Sequence, residues 1–458
     1  MKVLLVIPIN RSYVITPSLG LGYIASVLRL QGHKVKILHC IKEKFTFGDF
    51  DNYIKQNNFD FIGIQMFTFD STSVKRHLDI IKKNKPSTTT ILGGYHPSGD
   101  PHEILKKFPQ ADFAFISETE IAFPFFLEEI NKKDPNLSIV PNLIWRNGDK
   151  IIINSLKIID DLDEIPFPAW DLMDPRTYPE APHGGFFKSF PTAPIIITRG
   201  CPMECTFCAG KSITTKEIRK RSINNVIEEM KFLKVKYGVN DFLIEDENFT
   251  LHKNLVYDFC NQLINQQLKV TWSCPSGVRL DTLDLAILQL MEESGCHSLA
   301  VGVEFGSQRI HDLTKKNLTI KIIKERISLF QHTKIKVTGF FMFGIPGETE
   351  QEMIQTIKFA KALNINRAQF NNFMPLPGSS LYAQLKHDGM DSIDSDHFFV
   401  HDVGYVPQGL TRKRLKNIQR RAYLEFYLRP KIIVGLIKEI TSFRQLCRLI
   451  KRFMDGLT

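Results

Sequence analysis

The chain has 458 residues, 43% of them hydrophobic and 24% charged, with a formal net charge of +10. It is too long for one ordinary core, and its balance is that of a folded globular protein rather than a disordered one, so two or three domains are expected. From Thr411 onward there are 13 Lys/Arg against 3 Asp/Glu, which leaves the body near neutral, argues against a nucleic-acid groove across it, and marks a basic C-terminal appendage.

Met1–Pro8 is too short an apolar run for a secretory signal and no small-residue cleavage site follows it. No window approaches the roughly 20 apolar residues of a membrane span. A cytoplasmic location is expected. There, eight cysteines argue against a disulfide framework. Cys40, Cys260, Cys274, Cys296 and Cys447 are scattered and read as small buried residues, whereas Cys201, Cys205 and Cys208 fall together.

In chain order, Lys2–Ile7, Val35–His39, Phe61–Gln65, Thr89–Leu92 and Phe113–Ile116 read as strands buried on both faces. Leu19–Gln31, Phe50–Asn57, Ser71–Lys85, His102–Phe108 and Glu120–Lys132 read as the helices between them. That alternation predicts a doubly wound parallel sheet over residues 1–135, with ligands outside the carboxyl ends of its strands. Residues 136–190 read as a linker holding a hairpin around Asn147-Gly148 and a proline-set segment, Asp163–Trp170. A second alternation covers 191–380, with strands at Ala193–Thr198, Asp241–Ile244, Lys269–Ser273, Ser298–Val303, Lys336–Phe343 and Arg367–Phe373. Helices are predicted at Ile223–Lys236 and Asp284–Ser294. Six strand–helix units predict a partial (β/α)6 barrel, followed by a basic helical region over 381–458.

The segment Gly200-Cys201-Pro202-Met203-Glu204-Cys205-Thr206-Phe207-Cys208 lies just after the first barrel strand, where barrel sites are built. Three thiolates in one short loop suit three irons of a cubane cluster, leaving the fourth iron open to a small molecule. Cys205-Thr206-Phe207-Cys208 could also be half of a zinc site, but the chain has no second CxxC to complete it.

This C-x3-C-x2-C loop resembles that of the radical S-adenosylmethionine (SAM) superfamily, and the resemblance runs over nearly the whole chain. It implies that Cys201, Cys205 and Cys208 hold a [4Fe–4S] cluster and that Phe207 packs near the adenine of SAM. Glu245–Phe249 is similar to the acidic motif, which gives Glu247 to the SAM amino group. Trp272–Arg279 resembles the third-strand segment whose arginine, here Arg279, pairs the SAM carboxylate. Gly302–Ser307 resembles the fourth-strand motif, with Glu304 toward the ribose. Gly344–Thr349 resembles the turn beside the adenine, at Gly344. Each carboxylate taken alone is as readily a solvated surface group; the ordered set is not.

The N-terminal domain, Asp163–Trp170 and Met374–Gly378 together resemble the cobalamin-binding subgroup. In it a B12 domain precedes the barrel, as in methyltransferases and in enzymes acting on hopanoids or the magnesium-porphyrin ring. Pro17–Tyr23 is similar to its first cofactor loop, Leu92–Ser98 to its "GGPHAS" segment, and Ser117–Glu120 stands where it has "GEGE". The resemblance assigns Leu19, Gly20, Thr68, Gly93, Gly94, His96, Ser117 and Glu118 to cobalamin. Two of its glycines are Ser117 and Thr119 here. No DxHxxG motif offers a histidine to cobalt, so His96 is expected as a loop or cofactor-edge contact. The methylthiotransferase branch is disfavoured, because the N-terminal domain has only Cys40.

The resemblance thus implies an enzyme with a [4Fe–4S] cluster, SAM and cobalamin. An electron from a donor such as flavodoxin or ferredoxin would cleave SAM to a 5′-deoxyadenosyl radical. Methylcobalamin, lying between the domains, would then methylate an unactivated carbon of a small or lipid-like substrate. A cyclase or oxidase without methyl transfer, or an inert cobalamin-binding protein, are the alternatives. The basic stretch Arg412–Lys438 suits either an amphipathic helix on the inner face of a membrane or one packed on the barrel with a solvated basic face. No residue is identified as a general acid or base.

Overall fold

The computed structural model describes residues 1–12, 14–180, 186–389, 402–440 and 446–447. They form two compact units that interleave along the chain. The first comprises Met1–Tyr178, Cys208–Lys220 and the described residues from Leu376 to Gly389. The second holds Pro179–Phe207, Arg221–Pro375 and the described residues from 402 onward.

The first unit is built on seven strands: β1 (Lys2–Ile7), β2 (Lys34–His39), β3 (Phe61–Gln65), β4 (Thr89–Gly93), β5 (Phe113–Phe115), β6 (Leu143–Asn147) and β7 (Lys150–Ile153). Their order is β2-β1-β3-β4-β5-β6-β7, the first five parallel and the last two antiparallel additions. The chain therefore reverses direction across the sheet between β1 and β3, which is where doubly wound sheets open a ligand crevice. The inner strands β1 and β3 are nearly continuous apolar runs because both faces of the sheet are covered. Val3, Leu5 and Ile91 face one core with Phe123 and Phe126, while Leu4, Val6 and Leu92 face the other with Phe50 and Leu78.

The stretch 143–153 is not part of a linker: its hairpin joins the sheet, Ala114 pairing with Ile144. Burial of Leu143 and Ile144 against the two cores outweighs the polar turn that suggested a hairpin within a linker. The proline-set segment also belongs to this unit. Ala169 N–H donates to the Gly22 carbonyl at 3.0 Å, and a Cβ on Gly22 would lie 2.3 Å from Met173 Cε. Gly22 is thus a packing glycine.

The second unit carries β8 (Thr192–Ile195), β9 (Asp241–Ile244), β10 (Thr271–Val278), β11 (Cys296–Glu304), β12 (Lys336–Phe343) and β13 (Arg367–Asn372). They lie side by side in the order β13-β12-β11-β10-β9-β8, all parallel, as a partial barrel requires. Trp272, Phe249 and Phe259 meet edge to face at 5.4–5.9 Å in its core. Two strands are irregular near their carboxyl ends: β10 slips register between Cys274 and Val278, and β11 between Gly302 and Glu304. Such bulges re-aim side chains beside active sites.

The basic helix Arg412–Tyr427 spends its apolar face inside this unit. Leu415, Ile418, Ala422 and Phe426 are buried. Tyr427 Oη donates to the Ala368 carbonyl of β13 at 2.7 Å, and Gln419 Nε2 donates to the Phe370 carbonyl at 2.8 Å. Of the two readings of this stretch, helix Arg412–Tyr427 takes the packed one. The shorter helix Pro430–Ile437 leaves Val434 and Ile437 exposed. Among the described residues no helix is long and apolar enough to cross a membrane.

Candidate active site

The predicted first barrel strand, Ala193–Thr198, ends early, at Ile195. The cause is Asp246, in the middle of the acidic motif after β9. Its buried carboxylate accepts from Ile197 N–H at 2.8 Å, Thr198 N–H at 2.8 Å and Thr198 Oγ1 at 2.7 Å. Those backbone donors are taken up by a side chain, and the chain runs on to Gly200, whose φ of +109° suits glycine. Burial pushes the Asp246 pKa up to about 7, against the pull of these hydrogen bonds. Next along, Glu247 Oε2 accepts from Gly200 N–H at 3.4 Å. The acidic motif is therefore the anchor of the cysteine loop, a role that sequence reasoning missed.

Within the loop, Cys201 is partly buried, Cys205 buried and Cys208 exposed, and none is in a disulfide. Burial raises the Cys201 thiol pKa. Cys208 Sγ accepts from Gly210 N–H at 3.4 Å. Among the described residues no three His, Cys, Asp or Glu side chains converge as metal ligands. The donor set itself, three reduced thiols in eight residues, fits an iron–sulfur cluster with one open iron.

Residues from the end of β11 and from the segment after the helix Gln308–Leu313 pack against the loop. Thr206 N–H donates to the Thr314 carbonyl at 2.9 Å, and Phe207 meets Phe305 edge-on at 6.3 Å. Glu304 sits on the bulge with a φ of +64°, a strained conformation for a non-glycine. Its Oε1 accepts from Lys316 Nζ at 2.9 Å in a buried ion pair. Gly302 makes room, since a Cβ there would lie 2.6 Å from Glu304 Oε1 and 2.7 Å from Lys316 Nζ. Burial works against the Lys316 charge, but Glu304 and Cys205 outweigh it and hold its pKa above the ordinary value. Lys316 had no sequence signal; Gly302 and Glu304 did.

Arg279 is engaged within its own unit. Its guanidinium pairs with Asp281, at 3.0 Å from Nε and 2.8 Å from Nη2, and Nη1 donates to the Lys316 carbonyl at 3.1 Å. Gly344 takes a φ of +82°, and its N–H donates to Glu348 Oε2 at 2.6 Å, beside Ile345 N–H at 3.2 Å. Burial pushes the Glu348 pKa from 4.5 up to about 8, with the two hydrogen bonds pulling it down. Between those values the folded chain keeps a proton that the unfolded chain has released, so this group's contribution to stability falls as pH rises from about 4.5 to about 8. Glu348→Gln cannot ionise. Its melting temperature relative to wild type is expected to climb between about pH 5 and pH 8.5; a difference that stays flat with pH contradicts the assignment.

In the first unit the predicted cofactor residues gather at the carboxyl ends of β1, β3, β4 and β5. Leu19 and Gly20 begin helix Leu19–Leu30, with Ser18 Oγ donating to Gln65 Oε1 at 3.2 Å across the β1–β3 crevice. A Cβ would meet nothing within 4 Å at Gly20 or at Gly93, so both backbones are open to close approach. Gly94 is different: its φ is +108°, and a Cβ would lie 3.0 Å from the Met66 carbonyl oxygen. His96 is buried, its Nδ1 3.2 Å from Thr68 Oγ1, and burial lowers its pKa to about 4. Ser117 keeps the left-handed conformation, φ +58°, that a glycine would hold more easily; its N–H donates to Ser98 Oγ at 2.9 Å. Glu118 is committed to a buried bidentate pair with Arg219, at 2.8 Å and 2.5 Å. Arg219 also donates to the carbonyls of Ile159 and Thr214, at 2.5 Å and 3.3 Å.

A seven-strand doubly wound unit with an open crevice, and a six-strand partial barrel whose first loop carries three cysteines, define a two-cofactor enzyme architecture. Residues 6–127 match the B12 binding domain and residues 195–360 match the radical SAM superfamily. The chain therefore carries a B12 binding domain and a radical SAM domain, and it is an enzyme with a [4Fe–4S] cluster, SAM and cobalamin as its cofactors. It is similar to an uncharacterized methyltransferase of Pyrococcus horikoshii, 29% identical over 100% of this chain and 98% of that one. It is also similar to the cytidylyl-2-hydroxyethylphosphonate methyltransferase of Streptomyces wedmorensis, 28% identical over 85% and 82% of the two chains. The fold matches that of the radical SAM methyltransferase TsrM from Kitasatospora setae, solved with cobalamin and a [4Fe–4S] cluster, at a TM-score of 0.75 and 14% identity over 100% and 99%.

Proposed function

We propose that the protein is a methyltransferase that moves a methyl group from SAM, by way of cobalamin, to an unactivated carbon of a small molecule. The observation that carries this reading is the three-cysteine loop, anchored by Asp246, in a chain whose first unit opens a crevice at the ends of β1 and β3. Similarity over its full length to a methyltransferase supports it.

In this reading Cys201, Cys205 and Cys208 hold the cluster. Glu247, already at Gly200, receives the SAM amino group; Glu304, aimed by its bulge, receives the ribose hydroxyls. Phe207 and the Gly344 turn flank the adenine, and Arg279 takes the carboxylate by exchanging it for Asp281. Leu19, Gly20, Thr68, Gly93, Gly94, His96 and Ser117 present the corrin with backbone and short side chains. Glu118 acts from behind, holding its loop through Arg219. His96, buried and held neutral by that burial, steadies Thr68 rather than ligating cobalt. When bound, the cluster supplies the electron that cleaves SAM to a 5′-deoxyadenosyl radical, and cobalamin supplies the methyl group. The electron would come from flavodoxin or ferredoxin.

The test is anaerobic incubation of the reconstituted protein with a low-potential reductant, cobalamin and SAM labelled in its methyl group. Release of 5′-deoxyadenosine together with label on the bound corrinoid is expected. Nucleoside release with no labelled corrinoid would contradict methyl transfer and leave radical chemistry alone standing.

A further inference from the structure

Lys316 is a buried cation held between Glu304, of the proposed SAM site, and Phe207, of the cysteine loop. Its ammonium is 2.9 Å from Glu304 Oε1 and 5.8 Å from the centre of the Phe207 ring, one residue before Cys208. Its backbone is tied in as well. Arg279 Nη1 donates to its carbonyl at 3.1 Å, and two residues earlier the Thr314 carbonyl accepts from Thr206 N–H, next to Cys205, at 2.9 Å. Gly302 lacks the Cβ that would collide with both partners of the pair.

A bare counter-ion for Glu304 would need only the salt bridge. Here the segment carrying the cation is hydrogen-bonded to the cysteine loop itself, so the charge cannot move independently of that loop. One-electron reduction adds a negative charge to a cluster, and a fixed cation nearby in a water-poor site favours the reduced form.

We infer that Lys316 is a positioning residue that sets the reduction potential of the cluster, by fixing a positive charge against the Cys205–Phe207 stretch through its ion pair with Glu304. The inference rests on the cysteine loop holding the cluster. The electron comes from a low-potential flavodoxin- or ferredoxin-type donor, and no bond is made or broken by Lys316. The ammonium raises the fraction of protein reduced at a given donor potential.

The experiment is an anaerobic redox titration of the reconstituted full chain, without SAM, followed by electron paramagnetic resonance, with iron content read first. Lys316→Met is expected to lower the reduced-to-oxidised ratio at a fixed potential at least tenfold, a shift of about 59 mV for one electron. Lys316→Arg, which keeps the charge, is expected to titrate with wild type. Glu304→Gln, which keeps the lysine and removes its counter-charge, is expected to shift the other way. A cluster-bearing Lys316→Met with the wild-type midpoint would overturn the inference, whether or not it bound SAM more weakly. Should Lys316→Met not fold, an unmoved midpoint in Glu304→Gln does the same. A wild-type protein that takes up no iron would overturn the cluster reading beneath it, and iron content alone distinguishes that case.

Discussion

Asp246→Ala is expected to destabilise the second unit by about 3 kcal/mol or more and to abolish iron loading. The carboxylate accepts three hydrogen bonds from Ile197 and Thr198 inside a buried pocket. Its removal strands three donors that water cannot reach, and each stranded donor costs about 1–3 kcal/mol. The damage falls on the segment that turns β8 into the cysteine loop, so loading should fail with stability rather than after it. Asp246→Asn keeps one acceptor oxygen but points an amide at donors, and should fall between. Urea denaturation and iron content on the same preparations check this. An alanine variant within about 0.5 kcal/mol of wild type that loaded iron normally would show that the acidic motif does not anchor the loop.

Arg219→Met should cost about 3–5 kcal/mol, the usual consequence of leaving one partner of a buried pair charged and alone. The side chains of Arg219 and Glu118 are only 5% and 4% exposed, and the arginine also holds the Ile159 and Thr214 carbonyls. Adding Glu118→Met to it should restore a large part of the loss, because the uncompensated charge goes too. The measurement is a double-mutant cycle by chemical denaturation. A single variant that lost less than about 1 kcal/mol, or a double variant worse than the sum, would contradict the account of this pair. Glu118 is then a residue whose importance to the cofactor face is structural.

The fold was largely legible from the chain, for a physical reason. Strands covered on both faces must be continuous apolar runs, and Lys2–Ile7, Phe61–Gln65, Asp241–Ile244 and Lys336–Phe343 are bounded where hydrophobicity stops. Strand ends set by side chains were not legible. Nothing local in Ala193–Thr198 announces that Asp246, some fifty positions on, takes its backbone donors. The hairpin at 143–153 was seen as a hairpin but not as part of the sheet, because its turn is local and its burial is not.

Among site residues the same division holds. Glycines betrayed themselves: Gly94, Gly200 and Gly344 occupy positive φ, and Gly302 is required by the ion pair beside it. Ser117 departed from the glycine pattern yet adopts the glycine conformation, so the loop shape survives the substitution. Charged partners such as Lys316 and Arg219 stand apart in sequence from Glu304 and Glu118 and meet them only in the fold. A lysine within Thr314–Asn317 looks like any solvated surface residue until Glu304 is placed against it.

The central claim is that Cys201, Cys205 and Cys208 hold a redox-active cluster that cleaves SAM. The most direct measurement is iron and sulfide content after anaerobic reconstitution, wild type against Cys205→Ala. The account predicts about four irons and four sulfides per wild-type chain, as a cubane requires, and loss of that stoichiometry in the variant. A folded wild-type protein that took up no iron, or an alanine variant that kept the full complement, would contradict it.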